Sequence, residues 1–253
     1  MQYTDSNILI IIPARMGSSR FPGKPMAAIA GQPMIGHVYE NMCRNYVTEH
    51  VWVATCDQEI ASYIEGIGGR AVMTSSKHER ASDRCAEATL KIEKKLNCVF
   101  DIVVLVQGDE PMTTGEMVAE AVEPMLIDSS IQITNLYGEI DTVTEWHDRN
   151  CIKVVLALNS NALYFSREPL PTGRLGAEYV KKYKQICVIP FRRDYLFHYS
   201  ELPPTPLEVC ESIDMLRVLE HGEAVKMVRT ESKTYAVDTP EDLVRVEALM
   251  GCK

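Results

Sequence analysis

The 253-residue chain has no apolar run long enough to cross a bilayer. Its longest, such as "ILIII" and "IVVLV", are strand-length, which excludes a membrane-spanning helix. The opening "MQYTDSN" lacks the basic-then-apolar order of a secretory signal. Eight cysteines occur with no close CxxC pair and no short disulfide frame, so reduced thiols in a cytoplasmic protein are expected. The six histidines show no HExxH or similar spacing and read as surface or core side chains. A formal net charge of −9 excludes a general nucleic-acid binder, which needs a basic face. There is no internal repeat, low-complexity tract or flexible linker.

A 46% hydrophobic content supports one buried core, and the length suits a single α/β domain over 1–253. Strands are predicted at 7–13, 51–55, 70–73 and 102–106, with helices at 33–46, 57–67, 81–95 and near 114–127. That alternation implies βαβ units and a mostly parallel twisted sheet flanked by helices. The pattern then changes, with strands expected at 131–137, 152–158, 162–166 and 185–191. Helices follow at 192–199 and 206–221, strands near 225–230 and 234–237, and a last helix from Thr239. The stretch 131–191 reads as a small β-rich inserted lobe. In such open sheets ligands sit at the carboxyl ends of the strands, where each motif below falls.

The loop "PARMGSSRFPGKPM" follows the first strand, inside a stretch from Asp5 to Glu40 that has no acid between its ends. Five residues separate Gly17 from Gly23 where a Walker loop has four, and Pro25 stands where that loop needs a hydroxyl, so that reading fails. A GxGxxG dinucleotide fingerprint is also missing, and "GIGGRA" at 66–71 reads as a helix stop. What remains is a glycine loop whose N–H groups can face phosphates, with Lys24 as a point charge and Arg15 as a planar fork. "QGDEP" ends a buried strand in Asp109, placed to hold magnesium; Thr113 and Glu116 could form a capping box there. In "VDTPEDL", Thr239 and Asp242 make a helix start, which leaves Asp238 as the second magnesium candidate.

"IPARMGSSRFPGKPM", "SDR", "VQGDEP", "KVV", "ALYFSREPLP" and "VDTPEDL" occur in the order found in the 3-deoxy-manno-octulosonate (Kdo) cytidylyltransferases, which this chain resembles over nearly its whole length. The resemblance implies a nucleotide-diphospho-sugar transferase-like α/β fold and a homodimer. It also implies Mg2+-dependent transfer of CMP from CTP to an acidic acceptor, releasing pyrophosphate. By position it implies catalytic roles for Arg15, Lys24, Asp109 and Asp238, the two aspartates being the metal ligands. Ala14, Gly17, Ser18, Arg20, Arg84 and Gln107 are implied to bind nucleotide.

The acceptor half departs from the family pattern. Arg80 and Ala81 replace Ser and Gly, Gln185 and Ile189 stand for His and Tyr, and Asp214 and Met215 stand for Glu and Gln. Arg80, Arg167, Arg174, Gln185, Glu211 and Asp214 are the acceptor-side candidates, with the arginines offered as forks for an acid. The acceptor is expected to be Kdo or a Kdo-like ulosonic acid. CMP transfer to a phosphonate or other small acid stays open, as does a catalytically silent binding protein.

Overall fold

The computed structural model describes residues 7–18, 20–46, 48–172 and 180–251. In chain order the elements begin with β1 (Ile8–Ala14), β2 (Ala28–Ile29), β3 (Gln32–Pro33), α1 (Met34–Cys43), β4 (Val51–Thr55) and α2 (Gln58–Gly66). Next come β5 (Ala71–Met73), α3 (Ala81–Leu96), β6 (Ile102–Val106), α4 (Gly115–Ile127), β7 (Thr134–Glu139) and α5 (Val143–His147). β8 (Lys153–Leu156), β9 (Ala162–Ser166), β10 (Tyr183–Ile186), β11 (Val188–Arg192), α6 (Arg193–Glu201) and α7 (Pro206–Glu211) follow. α8 (Met215–Glu220), β12 (Lys226–Arg229) and α9 (Pro240–Gly251) complete the chain.

The main sheet runs β11-β6-β1-β4-β5, parallel except for β11. Every residue of β1, β4 and β6 is buried, as a sheet covered on both faces requires. Leu9 and Ile11 pack into one core, and Ile8, Ile10 and Ile12 into the other, so the period of two divides β1 between the two faces. A second, mixed sheet runs β12-β7-β10-β8-β9. It draws most strands from the stretch expected to form the lobe, but β12 joins it from beyond 191, while β11 leaves it for the main sheet.

Three predicted elements come out differently. The single strand expected at 185–191 is two, broken at Cys187 where the chain crosses from one sheet to the other. Buried Asn135 bridges the break, donating to Ile186 O at 2.7 Å and Val188 O at 3.4 Å. Glu110 accepts from the Cys187 N–H at 3.0 Å, so neither side of the break is left unpaired. The helix expected at 206–221 is also two. Ser212 adopts φ +53 and turns the chain between α7 and α8. The bidentate Arg217–Glu208 pair, at 2.6 and 2.7 Å, holds the halves together. Residues 234–237 form no strand.

Of the other local signals, the helix stop after α2 and the start of α9 hold, and the capping box expected at Thr113 and Glu116 does not form. Gly68 takes φ +78 after α2. Thr205 and Glu208 form a capping box with Pro206 at the first position of α7. Thr239 and Asp242 cap α9 reciprocally, at 2.9 and 3.2 Å. At α4 the cap position falls to Thr114, and Glu116 instead accepts from Asn45 Nδ2 at 2.8 Å. No helix among the described residues is long and apolar enough to cross a membrane, and the described cysteines are free thiols.

Candidate active site

Three chain segments meet at the carboxyl ends of β1 and β6. After β1 the loop folds back on itself: Ser18 N and Gly23 N both donate to Met16 O, at 3.0 and 2.9 Å. Gly23 sits at φ +75, a conformation that costs other residues strain, and a 3-10 turn over Lys24–Met26 follows with Pro25 buried. The turn aims Lys24 inward. At the end of β6, Gly108 lies so close to β1 that a Cβ would meet Pro13 O at 3.0 Å, which brings Asp109 up to the loop. The third segment is tied on by Val237 N, which donates to Asp109 O at 2.9 Å and sets Asp238 alongside.

Lys24 Nζ is 2.5 Å from Asp109 Oδ2 and 3.3 Å from Asp238 Oδ1, and it also donates to Val237 O at 3.1 Å. Burial pulls the Lys24 pKa down, but the two carboxylates outweigh it and hold the ammonium above its ordinary range. Arg20 Nη2 reaches Asp238 Oδ1 at 2.8 Å, and its Nη1 donates to Asn150. Asp238 is only 8% exposed, more buried than an aspartate at a strand end is expected to be. Arg15 is exposed and forms no ion pair among the described residues.

These groups line one cleft of about 950 Å3, shared by Ala14, Gly17, Ser18, Gln107 and Arg167. Ligand pockets run from about 300 to 1,000 Å3, so the cleft has room for two reactants side by side. Two carboxylates converging on one point of positive charge suit Mg2+, which takes one or two carboxylates and completes its shell with phosphate and water oxygens. No group of three or more His, Cys, Asp or Glu side chains that could cage a metal occurs among the described residues.

The remaining sequence candidates sit in different ways. Arg84 reaches the cleft wall, but its guanidinium donates to Thr74 Oγ1 at 2.5 Å and His78 O at 3.3 Å, bracing the turn before α3. Arg80, Gln185 and Asp214 also line the cleft. Arg80 leans on Ser212 Oγ at 3.1 Å and Asp214 Oδ1 at 3.4 Å, so the novel cation is matched by the novel aspartate. Burial raises the Asp214 pKa, which the Arg80 charge opposes. Gln185 Nε2 donates to Asn135 Oδ1 at 2.5 Å.

Glu211 does not line the cleft. Its carboxylate accepts from Ser166 Oγ at 2.8 Å and Arg167 N at 2.9 Å, so it supports Arg167 from behind. Arg167 spends three donors on carbonyls, those of Glu211 at 2.7 Å, Arg149 at 2.9 Å and Ser212 at 3.2 Å. Among the described residues it has no carboxylate within ion-pair distance, and burial and the Arg20 charge lower its pKa against the more distant carboxylates of Asp238 and Glu211. Arg174 lies outside the described residues.

Sequence reasoning missed Lys184, Tyr235 and Arg245 on the cleft wall. Tyr235 is flanked by Lys184 Nζ, 4.6 Å from its ring centroid, and by the Arg245 guanidinium at 4.2 Å. Arg245 could have been suspected from its place on the helix that Asp238 introduces; Lys184 carried no local signal. In the QGDEP corner the sequence singled out Asp109 and not its neighbour Glu110. Burial lifts its carboxyl to about 7, opposed by the Cys187 N–H, and Thr234 Oγ1 also donates to it at 3.3 Å.

A parallel-sheet cleft carrying a glycine–lysine loop and two convergent aspartates at its carboxyl edge defines a nucleotidyltransferase of the α/β class. Residues 9–227 match the Cytidylyltransferase family. The chain is 40% identical to the 3-deoxy-manno-octulosonate cytidylyltransferase of Geobacter metallireducens, over 94% of this chain and 96% of the relative. It is 41% identical to that of Geobacter sulfurreducens, over 95% and 98%. The structure of CMP:2-keto-3-deoxy-manno-octonic acid synthetase complexed with CTP superposes with a TM-score of 0.86 at 38% identity, covering 98% of this chain and 99% of that one. A cytidylyltransferase from Leptospira borgpetersenii, at 17% identity and a TM-score of 0.65, shares the fold. The chain belongs to the 3-deoxy-manno-octulosonate cytidylyltransferase family.

Proposed function

We propose that the protein transfers CMP from CTP to Kdo with Mg2+, releasing pyrophosphate. The observation that carries this reading is the single ammonium of Lys24 set between Asp109 and Asp238 inside a cleft large enough for nucleotide and acceptor. The family relationship supplies the substrates.

The chemistry asks little covalent work of the protein. An acceptor oxygen attacks the α-phosphorus in line with the departing pyrophosphate, so alignment and neutralisation of charge dominate. Lys24 and Arg15 stabilise the negative charge that builds on the leaving pyrophosphate, and Arg20 tethers the loop to Asp238. Ala14, Gly17 and Ser18 border the phosphates, Gln107 lies between nucleotide and acceptor, and Arg84 holds the turn that borders them. Asp109 and Asp238 would hold the metal, which when bound supplies positive charge to the α-phosphate and acceptor oxygens. Arg167 and Arg80 form the acceptor wall with Gln185 and Asp214, and Glu211 fixes Arg167. Arg174 is assigned to the same wall by its sequence position.

The stretch 131–191 supplies Arg167 and Gln185 to this wall and is assigned the surface for a homodimer of a cytoplasmic enzyme, while Arg80 and Asp214 enter from the starts of α3 and α8. The test is incubation with CTP, MgCl2 and Kdo, following pyrophosphate release and identifying CMP-Kdo by mass. Absence of turnover with Kdo, with turnover of another acid, would reject Kdo as acceptor. Absence of pyrophosphate with every acid would reject the enzyme reading.

A further inference from the structure

Lys153, the first residue of β8, is a fully buried cation with no carboxylate within ion-pair distance among the described residues. Its ammonium donates instead to three main-chain carbonyls: Arg167 O at 2.5 Å, Cys151 O at 2.6 Å and Asp148 O at 2.7 Å. An uncompensated buried charge is costly, and burial depresses the Lys153 pKa accordingly. The cost is met by three oriented dipoles, all belonging to chain segments at the cleft. Two are in the loop 148–151 and one is at the end of β9.

That loop is gripped from three directions. Lys153 holds it from within. Arg20, from the glycine loop after β1, donates to Asn150. Arg167 Nη1 donates to Arg149 O at 2.9 Å. Cations from the nucleotide side and from the acceptor side therefore meet on four residues whose position one buried ammonium sets.

We infer that Lys153 is a positioning residue for the transfer: by fixing the loop 148–151 to the end of β9, it holds Arg167 and Arg20 in one frame and so sets acceptor against nucleotide. The main-chain clip leaves the Arg167 guanidinium with no carboxylate at ion-pair distance among the described residues, available to an acidic acceptor. This rests on the proposed acceptor role of Arg167. Misplacement of a reactant by about 1 Å can cost on the order of 100-fold, so geometry at this distance from the chemistry matters.

The experiment is a double-mutant cycle in steady-state kinetics with CTP, MgCl2 and Kdo, using Lys153→Met and Arg167→Ala. Lys153→Met is expected to lower kcat/KM for the acceptor about 10- to 100-fold. CTP affinity, measured by equilibrium binding without acceptor, should change by less than about threefold, because Arg20 keeps its own pair with Asp238 and neither Lys24, Asp109 nor Asp238 contacts Lys153. The double variant should lie within about threefold of Arg167→Ala alone, since Lys153 acts through Arg167. Multiplicative losses, or equal losses of acceptor and CTP affinity, would overturn the inference. Lys153→Gln keeps two N–H donors and should recover part of the loss. If neither variant folds to the wild-type circular dichroism spectrum, Lys153 is a folding residue and the inference fails. Wild-type turnover in the same assay separates these outcomes from failure of the functional reading.

Discussion

Replacing Lys24 by Met removes the cation on which the site converges while keeping most of the buried stem. Asp109 and Asp238 then face one another without a shared counter-charge, and Asp238 keeps only Arg20. Breaking a fully buried pair costs about 3–5 kcal/mol, whereas exposed pairs contribute about 0–1 kcal/mol. The Lys24, Asp109 and Asp238 side chains are 13%, 25% and 12% exposed, between those limits, which sets the loss near 2 kcal/mol as an order of magnitude. At about 2–4 °C per kcal/mol for a chain of this size, the midpoint should fall by about 4–8 °C in EDTA. Magnesium should restore more stability to the variant than it adds to the wild type, where Lys24 already neutralises the pair. Turnover should fall about 100- to 1,000-fold, the loss seen when one preorganised charge-stabilising donor is removed. Differential scanning fluorimetry with and without MgCl2, beside a pyrophosphate assay, measures both effects. A variant as stable as wild type in EDTA and within threefold of its rate would refute the convergence of charge at Lys24.

Asp109→Asn and Asp238→Asn should each lower kcat by about 1,000-fold or more with native circular dichroism, while Asp238→Asn also weakens the Arg20 tether; wild-type rates in either variant would reject a shared metal. Glu208→Gln should destabilise the fold by about 3 kcal/mol in urea titrations, because it leaves the 3%-exposed Arg217 between α7 and α8 with only Asp83, at 3.9 Å, as a carboxylate partner among the described residues. Glu87 tests the acid limb. Burial works to raise its pKa, but Lys91, the Ser75 N–H and His78 together bring the carboxyl down to about 2. A folded pKa below the unfolded value gives stability that is present above about pH 4.5 and lost as pH falls toward 2. Glu87→Gln should therefore cost about 1–2 kcal/mol at neutral pH, after discounting for its part-exposed setting, and the two proteins should converge near pH 2. Parallel stability curves across that window would show that the contacts do not form.

Much of the site was legible because its groups lie where backbone chemistry leaves a local mark. Gly23 needs a left-handed turn, Gly108 needs close approach to β1, and Thr239 with Asp242 caps a helix, so each functional residue has a readable neighbour. The acceptor side offered no such marks. The run from Tyr183 to Arg192 looks like one strand, yet its two halves pair with β7 and β6 in different sheets. What permits the break is Asn135 and Glu110, 52 and 77 residues away from Cys187. Glu211, expected to face the acceptor, instead holds the main chain of Arg167.

The sequence by itself determined the parallel sheet, through buried apolar runs at strand length, and the three loops to which the phosphate and metal chemistry is assigned. Periodicity and turn preference act within a few residues, so they can be read in order along the chain. Tertiary structure alone decided that Lys24 lies between aspartates 85 and 214 residues distant, and that Arg80 meets Asp214. It also decided that Lys153 is neutralised by carbonyls and not by a carboxylate. Electrostatic pairing depends on distance in space, and only the folded chain sets that distance.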